Sequence, residues 1–308
     1  MRDTFVRTLV DLAKNDRRIE LVTGDLGFGV LKPFWEQCPD QFTNAGIAEQ
    51  NMTALAAGMA MQGKIVFTYS IGNFPTLRCL EQIRNDCAYH KANVKVVCVG
   101  GGYVYGSLGM SHHATEDIAV MRALPGVAVV CPADLVEAEA AVRAIVDYPG
   151  TVYLRLGRGG EKRIHDRIDG FRIGKAIKVR DGADVAVFST GAIFEEVSAA
   201  VPLLEEAGIS PLVYTFPTVK PIDRDVVMEC ARTCRLIVTC EEHNVVGGFG
   251  SAVAEVLSES EGIPPLLKIG INDTYCHEVG TQKHLRQFNL IDARSIANKI
   301  IDRLNLNE

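Results

Sequence analysis

Asn44-Ala45-Gly46-Ile47-Ala48-Glu49-Gln50-Asn51-Met52 is the stretch around which the chain is organised. It runs straight into Thr53-Ala54-Leu55-Ala56-Ala57-Gly58-Met59-Ala60-Met61, where the alanines, leucine and methionines favour a helix. Glu49 is therefore a carboxylate at a helix start, with Ile47, Met52 and an alanine-rich face around it. Two readings are open at this point. An acid in a first turn complements the helix dipole and stabilises the helix by roughly 0.3–1 kcal/mol. The same acid, set among apolar neighbours, also suits proton transfer.

Outward from this stretch, strand-like and helix-like segments alternate to both ends of the chain. Apolar, β-branched runs at 19–23, 64–69, 93–99, 127–130 and 152–156 read as strands, with more at 184–188, 210–214, 235–240 and 265–269. Amphipathic segments at 2–15, 77–90, 114–122, 136–146, 194–207, 224–231, 249–257 and 293–304 read as helices. Strands that alternate with helices in this way predict an α/β chain with two parallel-sheet domains. The segment 161–183 turns charged and glycine-containing, so it is taken as a linker between a domain at 1–160 and one at 184–308.

The composition narrows the classes of function. With 308 residues, 47% hydrophobic and 23% charged, the chain has material for two ordinary cores. A net charge of −6 argues against nucleic acid or an anionic membrane surface as the main partner. No apolar run approaches the roughly 20 residues that span a bilayer. The segment from Met1 to Phe5 lacks the apolar core of a secretion signal. The nine cysteines form no Cys-x-x-Cys pair, and several sit in apolar strands, which suggests buried thiols and a cytoplasmic location.

Parallel α/β sheets bind ligands at the carboxyl ends of their strands, and those ends supply the candidate site residues. Asp25 lies in the turn Gly24-Asp25-Leu26-Gly27 after the first strand; a purely turn-forming aspartate is the alternative. The strand at 93–99 leads into the glycine-rich run Gly100 to His113, which matches neither Gly-x-Gly-x-x-Gly nor the lysine-bearing P-loop. His112 and His113 close that run among Gly, Ser and Thr, a setting that suits polar site residues. No Cys or His stands at zinc-ligand spacing from them, so no metal ligands are assigned to this chain. Arg158 lies between glycines after the strand at 152–156, placed to hold an anion or simply to face solvent.

Taken in order, these motifs resemble the C-terminal half of the transketolase family, encoded as a separate subunit. Thr23-Gly24-Asp25-Leu26, Gly46-Ile47-Ala48-Glu49, Glu81-Gln82-Ile83-Arg84-Asn85 and Ser111-His112-His113 are similar to the family's pyrimidine-binding domain. Glu241-Glu242-His243-Asn244 and Gly247-Gly248-Phe249-Gly250 are similar to its C-terminal domain. The resemblance implies thiamine diphosphate as the cofactor, with Glu49 and His112 catalytic and Glu49 activating the aminopyrimidine. It further implies Asp25, Leu26, Ile47 and Phe74 as cofactor-binding residues, Phe74 stacking on the ring. His112, His113, Arg158 and Gly100 would line the substrate pocket.

Departures from the family pattern carry further expectations. The diphosphate-binding half of the family bears Gly-Asp-Gly, a tripeptide found nowhere in this chain. The diphosphate and its Mg²⁺ would then sit on an N-terminal partner subunit, most simply in an α2β2 assembly. Ile71 and Leu77 stand where the family has further aromatic residues, so the ring bed is thinner. Gly100 and Leu108 replace the histidine and aspartate that grip donor-sugar hydroxyls. Transfer of a two-carbon ketol or acyl unit from a modified sugar or small keto substrate is therefore expected, rather than the ordinary pentose-phosphate reaction. The alternatives are a 2-oxo-acid dehydrogenase β-type subunit, an acyloin synthase resembling deoxyxylulose-phosphate synthase, and a non-catalytic scaffolding paralogue.

Overall fold

A computed structural model describes residues 1–168 and 170–305. Position 169 of the expected linker and positions 306–308 of the expected second domain lie outside the described residues.

The amphipathic pattern at the amino end forms α1 (Arg2–Asn15), which buries Phe5, Val6, Leu9, Val10 and Ala13. Then follow β1 (Ile19–Thr23), α2 (Lys32–Gln37), the short β2 (Phe42–Asn44) and α3 (Glu49–Met61). β3 (Ile65–Ile71) leads through a 3₁₀ turn at 77–79 into a one-turn α4 (Leu80–Gln82). From Ile83 to Ala88 the chain is a π-helix, where one uniform helix was expected. The backbone N–H of Tyr89 accordingly reaches back to the carbonyl of Arg84, five residues earlier. Such one-residue expansions often sit at functional positions.

β4 (Val94–Val99), α5 (Asp117–Ala123), β5 (Ala128–Val130), α6 (Leu135–Asp147) and β6 (Val152–Leu156) complete the first half. Every residue of β1, β4, β5 and β6 is buried, as expected for strands covered on both faces. Beyond β6 come β7 (Ile177–Arg180), β8 (Val185–Thr190), α7 (Phe194–Glu206), β9 (Pro211–Thr215), β10 (Thr218–Lys220) and α8 (Arg224–Thr233). β11 (Leu236–Asn244), α9 (Phe249–Leu257), β12 (Leu266–Ile271), α10 (Gln282–Phe288) and α11 (Ala293–Asn305) close the chain.

The strands form two sheets, of order β10-β5-β6-β4-β3-β1-β2 and β12-β11-β8-β9-β7. Pairing is parallel except at one edge of each sheet, where β10 and β7 run antiparallel to β5 and β9. β10 is the unexpected strand. It follows β9 of the second sheet within three residues and yet adds to the first, so the two sheets share a continuous piece of chain. One core cluster accordingly joins Val22, Val96 and Val129 of the first sheet to Phe188, Phe216 and Phe249 of the second half.

A buried polar network ties the halves together. Arg155 on β6 donates from Nε to Asp117 at 2.7 Å and from Nη2 to the carbonyl of Glu242 at 3.0 Å. Glu242 in turn accepts from the Tyr103 N–H at 2.7 Å and from Arg286 Nη2 at 2.7 Å. Glu241 accepts from the N–H groups of Phe249 and Gly250 at the start of α9, and His243 Nε2 accepts from the Ala119 N–H. All nine cysteines are free and buried. Among the described residues no helix is long and apolar enough to cross a membrane.

Candidate functional site

The carboxyl ends of β1, β2, β3, β4 and β6 carry the loops in which the sequence placed its candidates. Glu49 is the first residue of α3 and is buried, 4% exposed. The loop that presents it is held by Asn44, whose side-chain oxygen accepts from the N–H groups of Asp25 at 3.0 Å and Gly46 at 3.0 Å. Gly46 has φ +76°, which glycine adopts without strain and which turns the chain into the helix. Gly24 leaves room for the acid: a Cβ there would stand 3.4 Å from Glu49 Cγ.

Facing Glu49 is a residue no motif singled out. Arg78 Nη1 donates to Glu49 Oε2 at 2.7 Å, and the Arg78 guanidinium carbon lies 4.5 Å from the centre of the Phe74 ring. Phe74 packs edge-on against His112, with ring centres 5.2 Å apart, and Ser111 Oγ is 3.0 Å from His112 Nδ1. Thus Glu49, Arg78, Phe74 and His112 form one continuous set of contacts drawn from three loops. The signal for Arg78 in the sequence is its spacing alone, four residues after Phe74.

The other candidates occupy distinct environments. Asp25, at φ +59°, accepts from Asn44 Nδ2 at 2.9 Å, so its carboxylate is engaged in holding the turn. Leu26 is half-buried and packs against the core beneath α1, whereas Ile47 is 81% exposed at the mouth of the cleft. His113 turns inward: it is buried, its ring meets Tyr103 at 5.0 Å, and burial lowers its pKa. His112 and His113, adjacent in sequence, therefore face different surroundings.

Gly100 is not an open gap. It has φ +95°, and a Cβ there would stand 2.3 Å from two ring carbons of Tyr105. Tyr105 thus fills the space beside the end of β4, and the Arg158 guanidinium lies 5.5 Å from the centre of its ring. Arg158 itself is exposed, as are Leu108 and Met110 along the same rim.

The transketolase pyrimidine-binding domain matches residues 1–160, and the transketolase C-terminal domain matches residues 174–296. This chain belongs to the transketolase family. One of the two subunits of an apulose-4-phosphate transketolase from Phocaeicola vulgatus is 39% identical over 274 residues, covering 88% of this chain and 87% of its own. A 6-deoxy-6-sulfo-D-fructose transketolase subunit from a Clostridium species is 36% identical over 309 residues, covering 99% of this chain and 95% of its own. A split-gene transketolase solved as an inactive β4 tetramer aligns with a TM-score of 0.89 at 36% identity, covering 100% of this chain and 98% of that one. The chain is accordingly a transketolase-like subunit of the thiamine diphosphate-dependent type, carrying the pyrimidine-binding and C-terminal domains without the diphosphate-binding one.

Proposed function

We propose that this subunit, joined to a diphosphate-binding partner, transfers a two-carbon ketol unit from a ketose to an aldehyde or ketone acceptor. In this assignment Glu49 is the acid that exchanges a proton with the aminopyrimidine, and residues 1–160 supply this chain's half of the coenzyme cleft. The observation that carries the proposal is the buried Glu49 carboxylate, which accepts from a planar N–H donor lying against Phe74. A planar aminopyrimidine fits the same slot, with its ring nitrogen at Glu49 and its face on Phe74. Asn73 Oδ1 and His113 Nδ1 are buried nearby in sequence without a hydrogen-bond partner, which supports a polar ligand here.

When bound, thiamine diphosphate would supply a nucleophilic carbon and an electron sink. The protein's contribution is to hold the ring, exclude water and manage protons. Glu49, shielded from solvent, is placed to give and take a proton at the ring nitrogen. Phe74 and Ile47 form apolar walls, with Leu26 and Asp25 shaping the turn behind them. His112, steadied by Ser111 and Phe74, is placed to exchange a proton with a substrate oxygen. The diphosphate and its Mg²⁺, a hard cation that prefers oxygen ligands, are assigned to the partner subunit, and the simplest assembly is α2β2.

Gly100, backed by Tyr105, and exposed Leu108 give a donor pocket with fewer polar anchors than a hydroxyl-rich sugar phosphate calls for. Arg158, at its rim, is assigned to an anionic group of the substrate. Together with the modified sugars named for two relatives, this supports an unusual ketose as donor.

The test is reconstitution with the partner chain, thiamine diphosphate and Mg²⁺, followed by two-carbon transfer from a panel of ketoses. Transfer that requires both chains supports the proposal. Normal turnover of xylulose 5-phosphate would sink the substrate assignment. Turnover that depends on lipoamide would replace the proposal by the oxo-acid dehydrogenase reading.

A further inference from the structure

We propose that Arg78 is a built-in stand-in for the aminopyrimidine: it closes the half-site in the unassembled chain and swings out when the coenzyme enters. The proposal rests on the assignment of Glu49 to the aminopyrimidine. A guanidinium is a flat, delocalised N–H donor, and an aminopyrimidine offers the same shape and the same donors. Arg78 makes the two contacts that such a ring would need, a 2.7 Å hydrogen bond to Glu49 Oε2 and a 4.5 Å approach to the face of Phe74. Both cannot occupy the slot at once.

The pair is asymmetric in a way that suits displacement. The Glu49 side chain is 5% exposed and the Arg78 side chain 47% exposed, so the acid is fixed in the wall while the base reaches in from solvent. Removing a cation from a buried carboxylate is costly unless another donor takes its place. Glu49 therefore keeps Arg78 until a ring nitrogen arrives. The main chain at Arg78 stays in position throughout, because its carbonyl accepts from Gln50 Nε2 at 3.2 Å on the first turn of α3. Only side-chain torsions need to change.

Competition of this kind lowers apparent affinity by the fraction of molecules in which the slot is open. In calorimetric titrations of the reconstituted complex with thiamine diphosphate and Mg²⁺, Arg78→Met should lower the apparent Kd by about tenfold if the slot is closed about nine-tenths of the time. Unchanged or weakened affinity in that variant overturns the proposal. The crystal structure of the wild-type complex with the coenzyme provides the second measurement. The proposal requires the pyrimidine ring between Glu49 and Phe74 and Arg78 beyond ion-pair distance of Glu49. A ring at Glu49 with Arg78 still paired to it overturns the stand-in role and leaves the function of Glu49 intact. Coenzyme bound away from Glu49 overturns the functional assignment itself, and the stand-in role with it.

Discussion

Glu49 and Gly100 show how much one side chain, or its absence, can decide. Glu49 stands at a helix start, yet its oxygen does not cap its own helix; it points across the cleft to Arg78. If it handles the proton, Glu49→Gln should cut the kcat of the reconstituted pair by ~10²–10⁴. Assembly and the far-ultraviolet spectrum should stay as they are, and retained turnover would remove Glu49 from the chemistry. Gly100 poses a steric question. Its positive φ and the Tyr105 ring 2.3 Å from a would-be Cβ leave no room for a side chain. Gly100→Ala should therefore lower stability by about 1–3 kcal/mol in urea titrations. Adding Tyr105→Ala should relieve the steric part of that loss and leave the backbone part.

The start of α6 carries a second prediction, at the level of an element. Asp134 caps this helix and also accepts from the N–H groups of Ile164 and His165. Burial pushes its carboxyl upward, but the hydrogen bonds from His165 and the backbone outweigh that and hold its pKa at about 2. Glu137, three residues on, is fully enclosed and accepts from the Ala133 N–H and the Thr215 hydroxyl, and burial pushes it up to about 7. His165 lies between them; burial pushes it down, and the two acids raise it beyond that. Glu137 in the folded state thus holds a proton that the unfolded chain releases near 4.5, so its contribution to stability falls as pH rises from about 4.5 to 7. His165, also raised, shifts stability in the same direction at the upper end of that window. Denaturation of Glu137→Gln at pH 5 and pH 8 should show a flatter pH slope than wild type, by up to a few kcal/mol. An equal slope in both proteins would mean that Glu137 does not titrate in this range.

Across the whole molecule, the two sheets do not behave as beads on a linker. β10 crosses to the first sheet, a core cluster spans both halves, and Arg155 links Asp117 to Glu242. Arg155→Met would leave Asp117 buried without its cation, a change worth about 3–5 kcal/mol. One cooperative transition at a lowered midpoint is expected, because each half is packed against the other. Two separate transitions in the wild-type chain would show that the halves fold independently. Replacing Asp117 and Arg155 together with apolar residues should recover much of the loss.

The sequence alone determined the alternation of strands and helices, the mostly parallel sheets, and the position of Glu49 at a helix start. Those features follow from local periodicity, and the spacing of Gly46, Glu49 and the small residues after them is local too. Burial of Glu49, the inward turn of His113 and the Asn44 knot around Asp25 were decided by contacts between segments far apart in the chain. The same holds for Arg78, whose role emerges only when the end of β3 meets the start of α3. It holds again for Gly100, which reads as a lost side chain until Tyr105 is seen filling the space. β10 was illegible for a related reason: three residues carry no period, and only the open edge of the first sheet gives them a partner.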